Sequence, residues 1–316
     1  MDQATLILNR VLPIFILIGL GHFIRRRQFL AESTVDDLRR IAVNLALPAV
    51  LFLSFLQMEL QAAYLIIVGL VFLLCVALFG LGRRLSRRVQ PPRLYFPFMM
   101  TGFEYGMLGV SLFGSAYGLE NIGYIAVIDL GHELFIWFVF LAFLLMLRDG
   151  LSSSRQIAGA FFRSPVIIAI LASLILNLLG ARDFLYEAPV AGALIASLQY
   201  LSSFVIPLIL IIVGYGIRLN RAGLRDAALV IGVRLALLIP LALVVNRVLI
   251  GGLLGLGAPF EAALFTLLVL PPPFIVPLYM KPGLPAEREY VNNVLTLYTV
   301  ASLAVFVIYF ILNPTL

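Results

Sequence analysis

Long apolar runs recur along the whole chain, and they leave few folds open. They lie near residues 6–24, 37–56, 62–82, 94–117 and 122–147, and again near 164–180, 190–217, 225–249, 259–280 and 290–312. A helix crossing a bilayer needs about 20 predominantly apolar residues, so each run has the length of one span. Of the 316 residues, 62% are hydrophobic and 12% charged, against about 45–50% and about 25% in soluble domains. A water-soluble body of this size has too little interior to hide that much apolar side chain. The sequence therefore predicts an all-α membrane protein with ten transmembrane helices.

The charges between the runs orient them. With the N-terminus outside, the inner loops hold eighteen of the 22 basic residues, among them Arg25–Arg27, Arg83, Arg84, Arg87, Arg88, Arg148, Arg155, Arg218 and Arg221. The outer loops carry Glu59, Glu120, Asp183, Glu187 and Glu261 instead. This positive-inside bias holds loop by loop, and one missed span would destroy it. Both termini are expected outside. The net charge of +6 comes from these short loop clusters, so it points to a lipid surface rather than to nucleic acid. Residues 6–24 precede their arginines, opposite to a signal peptide, and are expected to be a retained first span. Cys75, the single cysteine, lies in an apolar run and reads as a small buried hydrophobe.

Five spans (1–147), a hydrophilic cytoplasmic linker (148–163) and five more spans (164–316) make an odd number per half. Related halves would then be inserted upside down relative to one another, as an inverted 5+5 repeat. Spans 4 and 9 are the least helix-like. Span 4 carries Gly102, Gly106, Gly109 and Gly114 around Glu104, and span 9 carries Pro271, Pro272 and Pro273. Three consecutive prolines remove three backbone donors and forbid a regular helix. In lipid, broken helices survive only where protein or a watery cavity satisfies the freed groups. Paired interruptions in two halves point to a transport site near the midplane.

Ionisable groups inside spans are costly and default to functional hypotheses. Glu104 follows Arg93 by eleven residues, which along a regular helix places it roughly 16 Å deep. Asp129, His132 and Glu133 share one face of span 5 by their spacing of three and four. They suit a proton relay, since imidazole titrates near neutral pH, or a polar cluster gluing two helices. One histidine and two acids on one helix leave a metal shell incomplete. Arg234 in span 8 reads as a counter-charge to Glu104 or to an anionic substrate, or as a side chain snorkelling to the surface. Asn44 and Pro48 on span 2 and Asn292 and Thr296 on span 10 complete the candidate substrate residues.

Several segments resemble the auxin efflux carrier family of transporters. They are Leu12-Pro13 to His22 with Arg25–Leu30, the run Asn44–Phe52 around Leu47-Pro48, Gly102–Leu112, Pro207 to Leu219, and Leu238–Leu241. The resemblance runs the whole length, and the order and spacing of the motifs carry it. It implies ten spans, an inverted repeat in which helices 4 and 9 break and cross, a scaffold of helices 1, 2, 6 and 7 used for dimerisation, and small organic anions as cargo. It places Glu104, Tyr105, Gly106 and Pro271–Pro273 around the crossover. Family members commonly carry a neutral residue where Glu104 stands, and proline near Ser111. An ionised Glu104 repels an anion, so this residue must either take a proton when substrate binds or mark a different cargo.

The expectation is thus a secondary active transporter in a bacterial inner membrane, working by alternating access on a small organic anion such as a carboxylate or auxin-like molecule. Coupling is expected to a proton, or to sodium, through Glu104 and the Asp129/His132/Glu133 cluster, with a homodimer as assembly and no cofactor or metal. The alternatives are a carrier of cations or amphipathic molecules, or a membrane sensor that moves nothing. With only His22 and His132 and no paired nucleophile and base, the sequence does not suggest an enzyme. It also lacks the phosphate-cradling G-x-x-x-x-G-K-[ST] loop of an ATP-driven pump.

Overall fold

The computed structural model describes residues 3–89, 92–150, 154–217 and 224–316. Linker residues 151–153 and the loop arginines Arg218 and Arg221 lie outside them, as does the side chain of Arg155. The described residues are helical and contain no strand. In chain order the helices are α1 (Gln3–Arg26), α2 (Glu32–Gln57), α3 (Ala63–Ser86), α4 (Phe96–Met99), α5 (105–117), α6 (Leu119–Asp149) and α7 (Ser154–Arg163). There follow α8 (Pro165–Leu178), α9 (Arg182–Glu187), α10 (Pro189–Gly216), α11 (224–253), α12 (Ala258–Val269) and α13 (Pro285–Leu312).

Seven of these, α1, α2, α3, α6, α10, α11 and α13, are long and apolar enough to cross a membrane. The three other expected spans differ, each for a local reason. The run 164–180 gives the 14-residue α8, stopped at Gly180, whose φ of 67° a side chain would resist. The run 94–117 is split into α4 and α5 by a non-helical stretch over 101–104, and the run 259–280 ends as a helix at Val269, before the prolines. The depth of Glu104 therefore cannot be counted along a continuous helix.

Packing sorts the helices into two groups. In one, α1 packs on α10, α2 on α8, and α2 on α10. In the other, α3 packs on α6 and on α4, α11 on α13 and on α12, and α12 on α6. The α1–α10 contact depends on small residues. A Cβ on Gly214 would lie 2.0 Å from the Ile18 carbonyl oxygen, and one on Gly21 would lie 2.0 Å from that of Ile211. Glycine at both positions lets the backbones touch, which is how helices associate where no hydrophobic drive exists between them. Asn177, the one amide side chain of α8, donates to the carbonyls of Phe55, Leu56 and Met58 at 2.7, 3.1 and 2.8 Å, satisfying the frayed end of α2. The outer faces are apolar: Leu12, Phe15 and Phe23 on α1, Val190 and Leu194 on α10, and Leu65 and Leu73 on α3 are all exposed, as a lipid-facing surface requires.

Candidate functional site

The two breaks meet. At the first, Thr101 through Glu104 leave the helix, and Gly102 takes φ 71° with no room for a Cβ, which would fall 2.6 Å from the Pro273 ring. At the second, Leu270 turns out of α12 with ψ 152° into the three prolines. The Glu104 amide donates to the Pro271 carbonyl at 2.8 Å and ties one break to the other.

Breaking two helices frees carbonyls behind the break and amides ahead of it. Two charged side chains answer them separately. Arg234 on α11 is fully buried and donates to the carbonyls of Met99 at 3.0 Å, Gly102 at 2.9 Å and Leu270 at 3.2 Å. It thereby caps the C-terminal ends of both α4 and α12, where the backbone dipoles favour a cation. Its guanidinium also lies between the rings of Phe103 and Tyr298, 5.1 and 5.0 Å from their centroids. Glu104 serves the opposite ends. One carboxylate oxygen accepts from the Met107 amide at 3.2 Å in the first turn of α5, and the other from the Phe274 amide at 2.6 Å just past the prolines. No ion pair joins Arg234 to Glu104 among the described residues; the two lie on opposite sides of the crossing, each bound to backbone. Nor does Arg234 snorkel.

The face of α6 toward the crossing holds the expected cluster. The Phe103 amide donates to His132 Nε2 at 2.9 Å, so that nitrogen carries the lone pair. The proton is then on Nδ1, which donates to Asp129 at 2.8 Å. His132 is thus a neutral strut between the first break and Asp129, and its protonation would displace the Phe103 amide. Asp129, His132 and Glu133 bring three possible donor atoms within 4.8 Å of one another. A neutral imidazole has one lone pair, though, and the amide already holds it, so this donor set does not fit a metal. Glu133 accepts instead from the indole N–H of Trp137 at 2.9 Å.

A cavity of about 1060 Å³ leads from one face of the protein to this crossing. Of the residues singled out from sequence, Glu104, Tyr105, Gly106, His132, Glu133, Pro273, Asn292 and Thr296 line it. Asp129, Pro271, Pro272 and Arg234 stand behind the wall, and Asn44 and Pro48 do not reach it. The cavity-facing positions of α2 are Glu32, Val35, Asp36, Arg39, Val43 and Leu47, three and four apart on one face, which leaves Asn44 on the exposed outer side. The cavity mouth, with Glu32, Asp36, Arg39, Ser164, Arg288 and Glu289, opens between the arginine-bearing loops. Sequence reading missed the amides of Phe103 and Phe274, which no side chain advertises, and Trp137. Its position four residues after Glu133 is the signal that could have found it.

Seven apolar spanning helices with a buried, polar crossing at the foot of a cavity define a helical membrane protein. No family model matches the chain. It is similar to a protein of Methanothermobacter thermautotrophicus described as an uncharacterized transporter, with 28% identity over 232 residues, 71% of this chain and 73% of that one.

Proposed function

We propose that the protein is a secondary active transporter that works by alternating access, with the Glu104 crossing as its site. The observation that carries this is the tie between the breaks: one carboxylate holds an amide from each broken segment at the foot of an open cavity. Protonation or release of that carboxylate frees an amide of each segment at once, which makes it a suitable coupling point. The similarity to a transporter supports the same reading.

On this proposal the chain crosses the membrane ten times, α8 and the broken pairs α4–α5 and α12 with its following segment supplying the three spans that are not single long helices. The packing pairs support an inverted repeat. Exchanging the halves turns the α1–α10 contact into the α8–α2 contact, and the α3–α6 contact into the α11–α13 contact. With the arginine loops inside, the cavity faces the cytoplasm. The group α1, α2, α8 and α10 would be the static scaffold.

Proton coupling is assigned to Glu104. The charged and titratable groups around it are His132, Asp129 and Glu133 on α6, Arg39 on α2 and Arg234 on α11. An organic anion, the cargo implied by the auxin efflux carrier resemblance, reaches the Met107 and Phe274 amides only after Glu104 takes a proton or leaves them. In proteoliposomes carrying an internal pH dye, addition of a transported solute should drive proton movement in the wild type and none in Glu104→Gln. Proton-linked uptake that survives Glu104→Gln would remove the assignment.

A further inference from the structure

We propose that the cavity selects organic cations with an apolar body rather than organic anions, an inference that rests on the transporter reading and names its cargo. Charge is the first argument. The cavity is lined by five carboxylates, Glu32, Asp36, Glu104, Glu133 and Glu289, and by only two arginines, Arg39 and Arg288. Against a chain of net charge +6, this lining is net acidic. At the inner end the contrast is complete: Glu104 and Glu133 line it, Arg234 is turned away behind the crossing, and His132 is held neutral by the Phe103 amide.

The second argument is that an anion finds the backbone donors of the crossing taken. The amides of Met107 and Phe274, which the breaks make available, already bind Glu104. What remains at the inner end is largely π surface. Tyr105 lines the cavity, while its hydroxyl is buried out of reach of solvent. Phe103, Trp137 and Phe274 line it as well, and aromatic faces attract cations, most strongly where water is excluded. A bare metal ion matches neither the aromatic lining nor a space of about 1060 Å³, whereas an amine or quaternary ammonium on an apolar body matches both.

Trp137 is the only tryptophan in the chain, it lines the cavity, and it donates to Glu133. Its emission therefore reports binding at the place in question. The purified full-length chain is titrated with benzyltrimethylammonium, whose charge is permanent, and with phenylacetate, an anion of similar size. The expected result is a saturable change in emission with the cation, weakened at least tenfold in Glu133→Gln and in Glu104→Gln, and none with phenylacetate. A thermal melt of each variant shows whether it is folded; should one fail to fold, the other carries the comparison. Saturable binding of phenylacetate in place of the cation, equal response to both, or response to neither overturns the cation assignment. The transporter reading is decided separately by the side-specific labelling of Thr296→Cys described below, which needs no knowledge of the cargo.

Discussion

Replacing Arg234 by methionine tests the crossing as a structure. The side chain is fully buried and serves three carbonyls at 3.0, 2.9 and 3.2 Å. A hydrogen bond from a charged donor contributes about 1.5–3 kcal/mol, and each buried carbonyl left unsatisfied costs about 1–3 kcal/mol. Methionine matches the length of the stem and restores part of the packing, so the net loss should fall at about 3–5 kcal/mol, the range for breaking a buried charged interaction. That is a large share of the roughly 5–15 kcal/mol that holds a typical protein folded. At about 2–4 °C per kcal/mol for larger domains, the melting temperature should drop by roughly 10 °C. Cys75 provides the assay. It is the single cysteine, fully buried, and its carbonyl accepts from Thr101 at 3.1 Å beside the first break. A thiol-reactive dye followed during heating therefore reports the opening of this region. Lysine, with a point charge and no planar fork, should recover only part of the loss. A melting temperature of Arg234→Met within about 2 °C of the wild type, where about 10 °C is expected, would refute the capping role.

Three further outcomes follow from the contacts. Gly214→Ala puts a methyl 2.0 Å from the Ile18 carbonyl oxygen, so α1 and α10 must part, and the thiol-dye melt should show a loss of about 1–3 kcal/mol. At the strut on α6, His132→Leu leaves the Phe103 amide and the Asp129 carboxylate without the imidazole and should destabilise by about 2–5 kcal/mol. Asp129→Asn keeps an acceptor for the Nδ1 proton and should cost clearly less; the reverse order in the melts would contradict the tautomer. Glu133→Leu removes the acceptor of the indole N–H, so Trp137 emission should move to shorter wavelength, and an unchanged spectrum would mean that the bond is not formed.

The breaks were legible in the sequence because proline and glycine act through the backbone itself. Three prolines in a row cannot be helical wherever they fall, and Gly102 marks a positive φ beside Glu104. The clustering of Asp129, His132 and Glu133 was legible for the same reason, since helical spacing fixes a shared face. Partners across the fold were not. Arg234 invites a carboxylate partner when only charges are in view, but the groups that needed it were carbonyls of Met99, Gly102 and Leu270, which every residue possesses and no sequence distinguishes. Asn44 does not line the cavity for a rotational reason: its helix faces the cavity with Val43 and Leu47, and one residue along a helix turns the side chain by about 100°. The runs 94–117 and 259–280 are apolar enough to pass for spans by length, but glycine and proline keep each from being one continuous helix.

The central claim is that the cavity opens alternately on the two sides of the membrane. A single cysteine at Thr296, which lines the cavity on α13, tests this most directly in a Cys75→Ala background. A membrane-impermeant thiol reagent is applied to vesicles of known orientation, first from the side of the arginine loops and then from the opposite side. The account predicts labelling from the arginine-loop side, and also from the opposite side in a fraction of molecules that changes when Glu104 is replaced by glutamine. Labelling from the arginine-loop side alone, in both the wild type and Glu104→Gln, would describe a pocket with one door and would contradict transport.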